Sequence, residues 1–142
     1  MSTQSIYVQI QYNAAPDKVW NALTDTEKMK EWYFDIKNFR PEVGAVFEFY
    51  EPGGTKFLHR CKILEIIPFQ KLKHTWTYPD YTQKESVVTW EISSISENKT
   101  MLSLTHESLE SFEGEGEAFA KKNFEEGWNS ILGKSLKAFL EK

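Results

Sequence analysis

Residues Glu117 to Lys142 read EAFAKKNFEEGWNSILGKSLKAFLEK, and this stretch decides the fold. Phe124, Trp128, Ile131, Leu132, Leu136, Phe139 and Leu140 recur at steps of three and four. That spacing sets them on one side of a helix of about 3.6 residues per turn. Lys121, Lys122, Glu125, Lys134, Lys137 and Glu141 fall largely on the other side. At about 1.5 Å per residue such a helix runs roughly 39 Å, enough to cross a small domain. Its apolar stripe must lie on something wide and apolar, because packing rather than propensity stabilises most helices.

The chain before it supplies that surface. Ala45–Glu51, Lys56–Ile67, Lys71–Tyr78, Gln83–Ser94 and Thr100–Ser108 alternate apolar and polar residues, the period of a strand. The apolar pairs Ile63-Leu64 and Ile66-Ile67 break the alternation and predict a bulge. Pro52-Gly53-Gly54-Thr55, Pro68-Phe69-Gln70, Pro79-Asp80-Tyr81-Thr82 and Ser96-Glu97-Asn98-Lys99 are turns. Strands joined by short turns form an antiparallel sheet. A further strand opens the chain, with Ile6, Val8, Ile10 and Tyr12 on one face. After it Pro16 and Asp17 start a short helix carrying Val19, Trp20 and Leu23. Asp25 caps a second helix, Thr26 to Trp32. The fold class is α+β: a curved antiparallel sheet of about six strands wrapped around one long C-terminal helix, with two short helices after the first strand. No linker, repeat or low-complexity tract divides residues 1–142, so they make one domain.

Aromatics make up 15% of the 142 residues, which supplies more flat bulk than a small dry core needs. The net charge of −4 comes with no basic stripe, against a nucleic-acid partner. One cysteine, Cys61, allows no internal disulfide and suits a reducing cytoplasm. No signal peptide is read at the N-terminus, and no apolar run approaches the ~20 residues of a membrane span. The expectation is a soluble cytoplasmic protein.

Three histidines are the sharpest polar signal. His59, His74 and His106 share alternation phase with Phe57, Trp76 and Leu104, so all three face inward. They can each be a buried imidazole bonded to a neighbour. They can also form a polar floor for a ligand, or do acid/base work near neutral pH. A metal site from His59, Cys61 and His74 has no short ligand motif behind it, and alternate strand residues stand about 7 Å apart. No cofactor motif, catalytic triad or phosphate loop is present. Glu110, Glu113, Glu115 and Glu117 make an acidic approach to the helix, where Gly114 and Gly116 permit gating motion.

Several residues, taken in order, carry a family resemblance. They are Ala15-Pro16, Val19-Trp20, Ala22-Leu23-Thr24-Asp25 and Trp32, then Glu65-Ile66, Pro68, Leu72 and Trp76. Ser86, Val88-Thr89, Thr100, Leu102, Leu104, His106, Gly127-Trp128 and Leu132 continue the series. From Ile6 to Leu140 the chain resembles the helix-grip, START-like superfamily, and within it the family of the activator of heat-shock protein 90 ATPase. Cys61 stands where that family more often has glycine. The resemblance implies a cavity between sheet and helix for a small apolar or amphipathic molecule. Its lining would be Trp32, Phe47, Phe49, His59, Cys61, His74, Trp76, Trp90, His106, Phe124 and Trp128. As an alternative it implies a chaperone partner, and, last, some helix-grip relatives are cyclases or hydrolases, for which His74 and His106 would be the acid/base pair.

Overall fold

The computed structural model describes residues 5–33, 36, 39–50, 57–81, 84–108 and 121–141. The expected turn at 52–55, the acidic stretch 110–117 and helix residues 117–120 lie outside them.

The strands are β1 (Ile6–Tyr12), β2 (Val46–Phe49), β3 (His59–Ile67), β4 (Lys71–Trp76), β5 (Ser86–Ser96) and β6 (Lys99–Glu107). They form one antiparallel sheet in the order β1-β6-β5-β4-β3-β2. β2 to β6 follow the chain, as short turns dictate, and β1 returns to the far edge with Ile6 opposite His106. The bulge falls where the apolar pairs predicted one: the β3–β4 register shifts between Ile63 and Glu65, leaving Leu64 exposed. Gly44, at φ +90°, turns the chain into β2 and donates its N–H to the Ile63 carbonyl at 2.9 Å.

Helix α1 (Pro16–Thr24) has proline in its first turn and buries Val19, Trp20, Ala22 and Leu23. Helix α2 (Thr26–Trp32) begins as read, with the Asp25 carboxylate accepting the Glu27 N–H at 2.9 Å. Lys28 bonds the same carboxylate, and these two contacts hold its pKa below the usual value. The Trp32 indole donates to the Ala22 carbonyl at 2.9 Å and ties α2 to α1.

The C-terminal rod departs from the expected regular helix. It runs as α3 (Lys121–Ser130), a π-helical stretch (Ile131–Leu136) and a last turn α4 (Lys137–Leu140). The reason lies in the buried row Phe124, Trp128, Leu132, Leu136 and Leu140, spaced strictly by four. Each step of four advances the row about 40° around a regular α-helix. The wider π turn takes more residues per revolution, so the same step falls short and swings the row back onto the sheet. Ile131 and Phe139, on the expected stripe, are half-buried at its flank.

Polar groups pin this rod. The Tyr12 hydroxyl donates to the Leu132 carbonyl inside the π stretch at 2.7 Å. The Lys18 ammonium caps the Leu140 carbonyl at 2.9 Å, and the Glu141 carboxylate accepts the Asn13 N–H at 2.9 Å. Tyr12→Phe keeps the ring and removes the buried bond. It is expected to cost about 1–2 kcal/mol in urea unfolding; an unchanged midpoint would show that the π stretch does not need this anchor.

Candidate functional site

The concave sheet face and the rod enclose an aromatic interior with Trp76 at its centre. Alternation on β4 sends Leu72, His74 and Trp76 to one side. Trp76 meets Phe49 at 5.7 Å between ring centroids, His59 at 5.1 Å, His106 at 5.6 Å and Trp128 at 5.2 Å. Its indole N–H donates to the Tyr78 hydroxyl at 2.9 Å. Phe47 and Phe49 stack at 6.2 Å and close the β2 side. Trp32 meets Trp90 edge-on at 6.4 Å and closes the α2 side. Phe124 lies on His106 at 5.2 Å. All eleven expected lining residues, Cys61 included, are buried in this one interior.

The three histidines face inward as their phase predicts, and each has a defined partner. The strand register sets Val88 opposite both His74 and His106, so Trp90 and Ser86 reach them as diagonal neighbours. An indole N–H can only donate. The Trp90 indole, 3.1 Å from His74 Nε2, therefore leaves that nitrogen bare and puts the proton on Nδ1, which donates to the Thr75 carbonyl at 2.8 Å. The Trp128 indole, 3.0 Å from His106 Nδ1, forces the opposite tautomer. His106 Nε2–H then donates to Ser86 Oγ at 2.7 Å, and the Ser86 hydroxyl donates in turn to the Trp76 carbonyl at 2.8 Å.

Ser86 and His106 thus resemble a nucleophile and its base in distance and differ from one in chemistry. The imidazole nitrogen facing the hydroxyl already carries a proton and cannot take another from serine. Burial pushes His74 down to about 4 and His106 to about 3, with His74 also lowering His106. Both are neutral at pH 7. Long-range 1H–15N spectra are expected to show an Nδ1–H tautomer for His74 and an Nε2–H tautomer for His106; the same tautomer at both would break this network.

His59 donates through Nδ1 to the Phe49 carbonyl at 3.2 Å and stacks on the Phe49 ring at 4.6 Å. Among the described residues no three His, Cys, Asp or Glu side chains gather as metal ligands would.

A void of about 10 Å³ lies beside His74, lined by Trp32, Tyr33, Phe39, Phe47 and Trp90 among others. That is room for about one water. Tyr33, the residue that ends α2, stacks on Trp32 at 4.8 Å and Trp128 at 6.3 Å. Tyr33 as a whole is half-buried, while its hydroxyl lies inside. Burial, then Cys61 and Tyr78, push the Tyr33 hydroxyl well above its usual pKa. Burial alone does the same to the Cys61 thiol. Ser86 and Tyr78 also belong to this interior; their phase with Val88 and with Trp76 was the signal for them. Tyr33 had none.

A curved antiparallel sheet gripping a C-terminal helix, with two short helices between its edge strands, is the helix-grip, START-like class of protein. Within that class, the family model described as Activator of Hsp90 ATPase homolog 1-like protein matches residues 13–141, and the chain belongs to that family. Among solved structures, protein MLL2253 from Mesorhizobium loti is similar with a TM-score of 0.82 and 24% identity, over 97% of each chain. Protein BH1534 from Bacillus halodurans matches with a TM-score of 0.76 and 21% identity, over 99% of each chain. PFC0360w, an HSP90 activator from Plasmodium falciparum, matches with a TM-score of 0.70 and 23% identity, over 93% of this chain and 90% of that one. At these identities the likeness is one of fold. A search of curated proteins found no match.

Proposed function

We propose that the protein is a binding module for a small, mostly apolar molecule of aromatic size, held between the sheet and the C-terminal helix. The observation that carries this reading is a set of polar groups turned into an aromatic wall. His59, His74, His106 and Tyr78 are buried among the rings of Phe49, Trp76, Trp90 and Trp128. A dry core gains nothing from such groups, since apolar side chains of the same shape serve it as well even where the polar ones are hydrogen-bonded. A ligand site needs them: an apolar lining with a few placed polar atoms. The void beside His74 is the size of one water, so a larger guest enters by displacing Tyr33 and Phe39, both half-buried.

Native mass spectrometry of protein taken from cells should find a bound small molecule. A panel of aromatic acids, fatty acids and sterols should contain members that raise the melting temperature; a ligand at 100 times its Kd adds about 2.7 kcal/mol. No bound mass and no rise with any member at millimolar concentration would end this reading.

A second reading rests on the family match. In it the domain binds a heat-shock chaperone and speeds its ATPase. Adding the protein in excess to such a chaperone tests this, and an unchanged ATPase rate would dispose of it.

A further inference from the structure

An open sheet has two edges, and here they are built differently. The β2 edge is four residues long, and its Glu48 pairs with Arg60 at 2.6 Å. A short, charged edge of that kind resists further pairing. The β1 edge is seven residues, Ile-Tyr-Val-Gln-Ile-Gln-Tyr, with no charge, proline or glycine. It pairs with β6 on one side. On an edge strand alternate residues aim their N–H and C=O groups outward, a template for another strand. Tyr7, Gln9 and Gln11 are exposed beside it, and Ile10 on the opposite face is only half-buried. The nearest outer-face residue on β6 is equally uncharged: Ser103 accepts from the Tyr7 hydroxyl at 3.1 Å and from the Gln9 amide at 3.3 Å.

We propose that β1 pairs with β1 of a second copy of this chain, antiparallel about a two-fold axis at Gln9, extending the sheet across both molecules. The strand suits itself as a partner. In that register Gln9 faces Gln9, Tyr7 faces Gln11, and Val8 faces Ile10. The outer-face pairs are then polar and uncharged, and the inner-face pair is apolar. A two-fold interface sets the same strand against itself, so a charge at its centre would meet its own copy. This strand carries none. Pairing would also cover the half-exposed Ile10.

Analytical ultracentrifugation from micromolar to millimolar concentration tests the proposal, with Gln9→Glu and Gln9→Lys as variants. Gln9 is exposed, so both should melt like the parent. The parent should dimerise, and each variant alone should raise the dimer dissociation constant about tenfold or more, since like charges then stand opposite. Mixing the two variants should restore the dimer. A parent monomeric at millimolar concentration overturns the proposal, as does a dimer indifferent to both variants. Failure of the mixture to restore pairing overturns the Gln9 axis.

Discussion

Acidification from pH 7 is expected to unfold the protein with a midpoint between about pH 4 and 5. The cause is the pair of buried imidazoles. An imidazole ordinarily titrates near 6.5, while burial holds His74 at about 4 and His106 at about 3. Below 6.5 the unfolded chain therefore takes up protons that the fold refuses. The stabilisation is complete above that pH and drains away as pH falls toward the folded values. At about 1.4 kcal/mol per pKa unit, each histidine contributes on the order of 3–5 kcal/mol to the difference. Domains of this size are stable by only about 5–15 kcal/mol, so the two together suffice. The carboxylates of Asp25, Glu65 and Glu141, all held low by hydrogen bonds, add to the loss at still lower pH. Thermal melting followed from pH 7.5 to 4 measures this. In a double variant, His74→Gln with His106→Gln, the melting temperature should be lower at pH 7 but fall less steeply with acid. A parent whose melting temperature is level down to pH 4.5 would contradict the burial of both rings.

Trp76→Ala should be the most damaging single substitution in the interior. The ring is 4% exposed and touches the sheet's inner face, the rod and both His59 and His106. Removing a buried tryptophan typically costs about 3–5 kcal/mol through lost transfer energy and the cavity left behind. It would also leave the Tyr78 hydroxyl without its indole donor. The urea midpoint should fall accordingly at unchanged slope. Trp76→Phe, which keeps a ring, should cost about half as much, and Tyr7→Ala on the outer face less than about 0.5 kcal/mol. A Trp76→Ala protein as stable as its parent would mean that the interior closes around the loss.

Much of the architecture is legible along the chain because it depends on residues close in sequence. Alternation in β1, β4 and β6 marks the buried faces that the structure has. A short polar side chain before a helix-forming run marks Asp25 as a cap, and two apolar pairs mark the bulge at Leu64. The inward phase of His59, His74 and His106 follows from the same period of two.

The remainder depends on distances between elements, which periodicity does not carry. A step of four along the C-terminal stripe drifts one way on a regular helix and the other way on a π stretch; the sheet it must stay on sets where the π stretch falls, with Tyr12 bonded within it. Two histidines of the same phase carry opposite tautomers, because one meets the indole of Trp90 through Nε2 and the other that of Trp128 through Nδ1. Tyr33 sits outside any periodic element, and its place among Trp32, Trp90 and Trp128 comes from how α2 docks on the rod. Local pattern determines which face of each element is buried; packing alone decides which buried atoms meet, and hydrogen bonding is too short-ranged for the first to foretell the second.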